Sequence, residues 1–127
     1  MTLVELMISV AILALGISAV LGLNIATMNA SAGAANLSRA TLLAETQSEW
    51  LRTMDYNKVA FVSQSPEKLT ANGLTCAEDP DTPCIFTRTT TILTGAPTST
   101  SSTISIKVEW QNKELIYDTV VSSIGFF

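Results

Sequence analysis

Glu5 is the residue whose surroundings demand an explanation. It is the only charged side chain between Met1 and Ser38, and the uncharged run Leu6–Leu23 follows it directly. A carboxylate beside such a run needs a cationic partner or water, because an isolated charge in an apolar medium is costly. Three other groups could do chemistry. Cys76 and Cys84 enclose a short segment, which suits a disulfide-bridged loop in an oxidising compartment. Glu78, Asp79 and Asp81 place acids on one loop. Calcium takes such oxygen ligands, but the spacing is not an EF-hand, and the plain reading is a solvated acidic loop. Thr98, Ser99, Thr100, Ser101, Ser102 and Thr103 form a hydroxyl tract between Pro97 and the next apolar residues, a turn open to O-glycosylation.

The chain contains no histidine. That excludes His-ligated metals and Ser-His or Cys-His catalysis. With the cysteines bridged, only Ser, Thr or carboxylate chemistry remains, and no motif organises it. The expectation is a protein that is not an enzyme, with no cofactor and no metal.

The elements that hold these residues are unevenly composed. Of the 127 residues, 47% are apolar and 14% charged, with a net charge of −4. This excludes a disordered chain, and the acidic balance gives no support to direct nucleic-acid binding. The averages conceal a split. Residues 1–38 hold 25 apolar residues and one charge, whereas all 7 Lys and Arg residues and all 8 aromatics lie at or beyond Arg39. The run Leu6–Leu23 is long enough to cross a membrane, which takes roughly 20 apolar residues. A cleaved secretory signal is the nearest alternative, but the residues before the run carry an acid and no Lys or Arg.

Helix-forming residues continue past the apolar run, and no proline occurs before Pro66. Leu37, Ala40, Leu43, Ala44, Gln47, Trp50, Leu51 and Met54 fall on one stripe at helical spacing, with Glu45, Glu49 and Arg52 opposite. The pattern predicts one helix over residues 2–55, roughly 80 Å long. Residues 1–25 would span the membrane, and residues 26–55 would form the amphipathic half. Gly16 and Gly22 weaken the apolar half, each by about 1 kcal/mol relative to Ala. Outside lipid, the stretch between them is where bending or melting is expected.

Residues 56–83 read as an irregular connection, with Pro66, Asn72-Gly73 and Pro80 to Pro83 as breakers. Residues 84–127 read as a three-stranded antiparallel meander. Ile104, Ile106, Val108 and Trp110 alternate onto one face, and Asn112-Lys113 is the hairpin candidate. The fold class is therefore α+β: a long N-terminal helix, apolar in its first half, packed on a small antiparallel sheet. Trp50, Phe61, Phe86 and Trp110 are expected in the core.

The N-terminal residues Met1-Thr2-Leu3-Val4-Glu5-Leu6, followed by the apolar run and a long amphipathic helix, resemble those of a mature type IV pilin or related pseudopilin. The motif covers residues 1–25, and the rest agrees in architecture. The resemblance implies a basic leader removed by a prepilin peptidase, with methylation of the new N-terminus at Met1. Met1 departs from the Phe more usual in the family, and Gly22 stands where many members have proline. Many major pilins place their disulfide around the last strands, whereas this one precedes the predicted sheet.

What the resemblance implies for function is structural. The chain would be a subunit of a type IV pilus-like extracellular filament, or fimbrium, serving adhesion, motility or secretion. It would be stored in the bacterial inner membrane and polymerised through its N-terminal helix. Its partners would be copies of itself, other pilins and an inner-membrane assembly platform. Glu5 would pair with the Met1 ammonium of a neighbouring copy and set register. From the residues alone, Glu5 also reads as a solvated acid favoured by the helix dipole. Two alternatives stay open: a minor pilin or type II secretion pseudopilin that primes assembly, and a membrane-anchored binding domain that never polymerises.

Overall fold

The structure is a computed structural model, and it describes residues 2–62, 64–95 and 98–122. Met1 and the last five residues of the predicted sheet segment lie outside the described residues. Helix α1 runs Leu3–Thr53, close to the span predicted for it. A one-turn helix α2, Tyr56–Val59, follows. Strands β1 (Glu67–Thr70), β2 (Cys84–Thr94), β3 (Ser101–Trp110) and β4 (Lys113–Ser122) form one antiparallel sheet in the order β1-β2-β3-β4. The class is α+β, with the long N-terminal helix packed on the sheet.

The chain divides into two compact units, Met1–Ala35 and Asn36–Phe127. The first is helix alone. The first buried residue of α1 is Ala40, in the second unit. Within the second unit, Ala40, Leu43, Ala44 and Leu51 of α1 share a core with Phe86 and Ile92 of β2, and with Ile104, Ile106, Val108 and Trp110 of β3. Ala40 and Ala44 are fully buried on the face of α1 that enters this core. The alternation expected along β3 is present, with all four apolar residues inward.

Two features differ from the sequence reading. The sheet has four strands rather than three, because β1 lies inside the segment read as an irregular connection. Glu-Lys-Leu-Thr carries no alternating pattern. It is a strand because β2 offers an edge: Glu67 pairs with Arg88 and Leu69 with Phe86, and a register shift between Leu69 and Thr70 brings Thr70 opposite Cys84. The second difference is the hairpin. The turn is Gln111-Asn112, not Asn112-Lys113, and Lys113 already pairs with Trp110. Both turn residues have positive φ, 44° and 61°, the requirement of the turn that matches strand twist, and Asn tolerates it well. This register sets Glu109 opposite Glu114. Lys107 bridges the two acids at 3.0 and 2.9 Å, which relieves a like-charge pair.

The turn after β1 also touches the helix. Gly73 has φ +83°, and a Cβ there would stand 3.0 Å from Leu43 Cδ2. Gly95 has φ +76° with open space around it. Replacing Gly95 with Ala should cost about 1–2 kcal/mol for the left-handed backbone alone. Gly73→Ala should cost a further ~0.5–1.5 kcal/mol, because the Leu43 methyl must shift by a few tenths of an ångström and its side chain is pushed off its torsional minimum. Thermal unfolding of the two variants measures the difference; equal losses would show that the turn does not bear on the helix.

Candidate functional site

The first unit is built around its start. Helix α1 begins at Leu3, so Thr2 is its N-cap, and the Thr2 hydroxyl accepts the Glu5 backbone N–H at 3.4 Å. Thr2-x-x-Glu5 is the spacing of a capping box. The sequence reading fixed on the charge of Glu5 and missed Thr2, although that spacing was a usable signal. Glu5 stands in the first turn, where the helix dipole favours an anion. The first Lys or Arg in the chain is Arg39, so no cation of the described residues in this unit can pair with it. Met1, its expected partner in a neighbouring copy, is outside the described residues.

Every described residue from Thr2 to Ala32 is exposed. A helix apolar all round and uncovered along its length matches a membrane span or the interior of an assembly, and this one is long and apolar enough to cross a membrane. Three of its hydroxyls are satisfied within the helix. Ser9, Ser18 and Thr27 each donate to the carbonyl four residues back, at 2.8–2.9 Å. Such back-bonding is what polar side chains need in an apolar medium. Gly16 and Gly22 make no contact that a Cβ would disturb, and α1 continues unbroken through both. Gly16 leaves a shallow apolar hollow between Ile12, Leu13, Ile17 and Val20.

In the second unit, the disulfide joins Cys76 to Cys84, with Cα atoms 6.1 Å apart. It does not precede the sheet; it ties the loop after β1 to the first residue of β2. In that loop Glu78 accepts the Thr75 N–H at 3.0 Å and the Thr75 hydroxyl at 2.9 Å. These bonds, the backbone one first, hold its carboxyl below the ordinary range. Glu78 thus folds the loop on itself. No group of three or more His, Cys, Asp or Glu that could hold a metal occurs among the described residues.

The hydroxyl tract is divided by the fold. Ser101 and Ser102 are buried in β3. Ser101 Oγ accepts from Thr98 N–H at 3.0 Å, and Ser102 bonds to the Tyr56 hydroxyl at 3.3 Å. Thr103 is partly buried, which leaves Thr98, Ser99 and Thr100 as the exposed hydroxyls.

The aromatic residues also separate. Phe86 and Trp110 are core residues, with ring centroids 6.1 Å apart. Trp50 and Phe61, expected beside them, are 47% and 88% exposed. The sheet-facing arc of α1 is rotated away from Trp50 toward Ser48, which is buried and donates to the Glu45 carbonyl at 2.9 Å. Trp50 and Phe61 instead border a groove of about 650 Å³ within the second unit. Its other walls come from Gln47 and Met54 of α1, Lys58 of α2, Glu67 of β1, and Arg88 and Thr90 of β2. Arg88 shares the inward row of β2 with Phe86 and Thr90, and its Nη2 meets Glu67 at 2.6 Å.

Comparison with known protein families, with characterised proteins and with solved structures yields no match.

Two predictions concern the bridged loop. Removing the bridge by Cys76→Ser with Cys84→Ser should lower stability by about 2–3 kcal/mol, measured by denaturant unfolding. Glu78 has a depressed folded pKa, so its contribution is complete above the ordinary value of 4.5 and is lost as pH falls through the depressed value. Glu78→Gln should therefore reduce the acid loss of melting temperature below pH 4.5; an unchanged profile would show that other carboxylates carry it.

Proposed function

We propose that the chain is a structural subunit of a type IV pilus-like filament, held in the inner membrane by the first half of α1 and polymerised through it. The observation that carries this reading is a helix exposed from Thr2 to Ala32 whose only charge is Glu5 in its first turn. A plain anchor accounts for the apolar length and leaves the acid only its role at the helix end, whereas assembly also gives it a cationic partner. In the proposed mechanism a neighbouring copy brings its N-terminal ammonium to Glu5. The ion pair forms in surroundings too apolar to screen it, so it favours one axial register over others. The small residues Ala11, Ala14, Gly16, Ser18, Ala19 and Gly22 let helices approach closely as they replace lipid. Gly16 and Gly22 are the points at which the helix would yield during that exchange. The resemblance of residues 1–25 to mature pilins supports the reading, as does the helix-on-sheet architecture, which is compatible with such a subunit. N-terminal processing and methylation at Met1, export of the second unit, and glycosylation at Thr98, Ser99 or Thr100 belong to the same proposal.

The test is Glu5→Ala expressed in the source cells, with sheared filaments and membranes assayed separately. The expected result is normal accumulation in the membrane with at least a tenfold loss of filaments. Filaments at the wild-type level would overturn the pairing role, and no filaments from either chain would favour the non-polymerising anchor.

A further inference from the structure

The groove of the second unit is a ligand site in its own right, and the geometry points to a carboxylated saccharide as its occupant. The argument starts from what the groove exposes. Large aromatic side chains bury more apolar area than any other type and are normally withdrawn from water. Here Trp50 and Phe61 stand open together while Phe86 and Trp110 fill the core, and a volume of about 650 Å³ lies in the range of ligand sites.

The groups between the two rings narrow the chemistry. A purely apolar ligand would strip water from Lys58 and Glu67 without replacing it, so a lipid tail is disfavoured. An extended peptide adding to the sheet is also disfavoured, because β1 already occupies the edge of β2 at Arg88. A pyranose ring has an apolar C–H face and a rim of hydroxyls. The face suits an indole or phenyl ring, and the rim suits the Gln47 amide, the Thr90 hydroxyl and the Glu67 carboxylate.

Charge selects among saccharides. In a chain of net charge −4, this groove gathers two cations and one acid. Arg88 is engaged by Glu67. Lys58 forms no ion pair among the described residues and stands exposed at the rim. A uronate carboxylate would supply its partner. The disulfide is in keeping with this choice, because it suits an oxidising compartment outside the cytoplasm, which is where a surface polysaccharide would be met. The inference does not depend on the filament reading, since a monomeric anchor would present the same groove.

Trp50 is itself the reporter, because Trp110 is only 5% exposed and contributes little to collisional quenching. The experiment uses the full chain in a polyoxyethylene detergent, which contains no sugar, with acrylamide as quencher and oligogalacturonate as probe. Oligogalacturonate should protect the accessible tryptophan saturably. Dextran and dextran sulfate should not, the first lacking charge and the second lacking carboxylates. Lys58→Gln should weaken protection about tenfold. Trp50→Ala should abolish binding of a fluorescently labelled oligogalacturonate, with the melting temperature unchanged because the side chain is outside the core. Four results would overturn the proposal: no protection by oligogalacturonate, equal protection by dextran sulfate, full affinity in Trp50→Ala, or Trp50 already shielded by self-association without sugar.

Discussion

An apolar helix that its own chain does not cover must be covered by something else, and the organisation of this protein follows from that constraint. From Thr2 to Ala32 the helix satisfies most of its hydrogen-bonding demand internally. Backbone groups pair along α1, and Ser9, Ser18 and Thr27 turn their hydroxyls back on it. What remains is apolar surface, and neither lipid nor another copy of the helix is preferred on that ground, since lipid tails are as apolar as leucine. Whatever distinguishes one environment from the other must therefore be polar or steric. Glu5 is the only charged side chain of this stretch, and the small residues around Gly16 supply a steric term. A transition between lipid and a helical assembly would then be nearly balanced in hydrophobic free energy and steered by one charge.

The second unit obeys the opposite rule, because it carries its own cover. The helix contributes Ala40, Leu43, Ala44 and Leu51, and the sheet answers with the inward rows of β2 and β3. The weakest part of this arrangement is β1, four residues at an edge. It is held by several independent ties: the ladder to β2, the Glu67–Arg88 ion pair, an isolated bridge from Leu69 to Thr75, and the disulfide at the end of the loop. A strand of that length gains little from its own ladder, and a loop cross-link contributes chiefly by limiting what the unfolded chain can explore.

Which parts of this could be read from the residues depends on how local their causes are. Helix α1 was legible because its signals are dense and continuous: good helix formers, a stripe at helical spacing, and no proline. The inward row of β3 was legible because period two is unambiguous over four residues. The disulfide was legible because there are only two cysteines. Strand β1 was not, because nothing in Glu-Lys-Leu-Thr specifies a strand until β2 is beside it. The hairpin slipped by one residue because Asn112 suits either position of a two-residue turn, and the choice rests on which pairing keeps Trp110 inward. At the candidate site, Glu5 stood out by charge, whereas Thr2 required knowing where the helix begins.

The placement of Trp50 rests on the same distinction between local and tertiary causes. Periodicity assigns it to the margin of the stripe, with Ala40 and Gln47 near the centre. Hydrophobicity alone would turn the helix to bury an indole rather than the hydroxyl of Ser48. The arc that enters the core is centred elsewhere: Ala40, Leu43, Ala44, Ser48 and Leu51 are the buried residues of α1. Ser48 fits, and its hydroxyl is neutralised by the Glu45 carbonyl within the same helix, so burying it carries little penalty. The arc that enters the core thus leaves Trp50 at the rim. There it meets Phe61, Lys58 and Arg88 around an open groove. The exposed aromatic pair follows from which arc of α1 is buried, and any ligand that uses it exploits surface that the core does not take in.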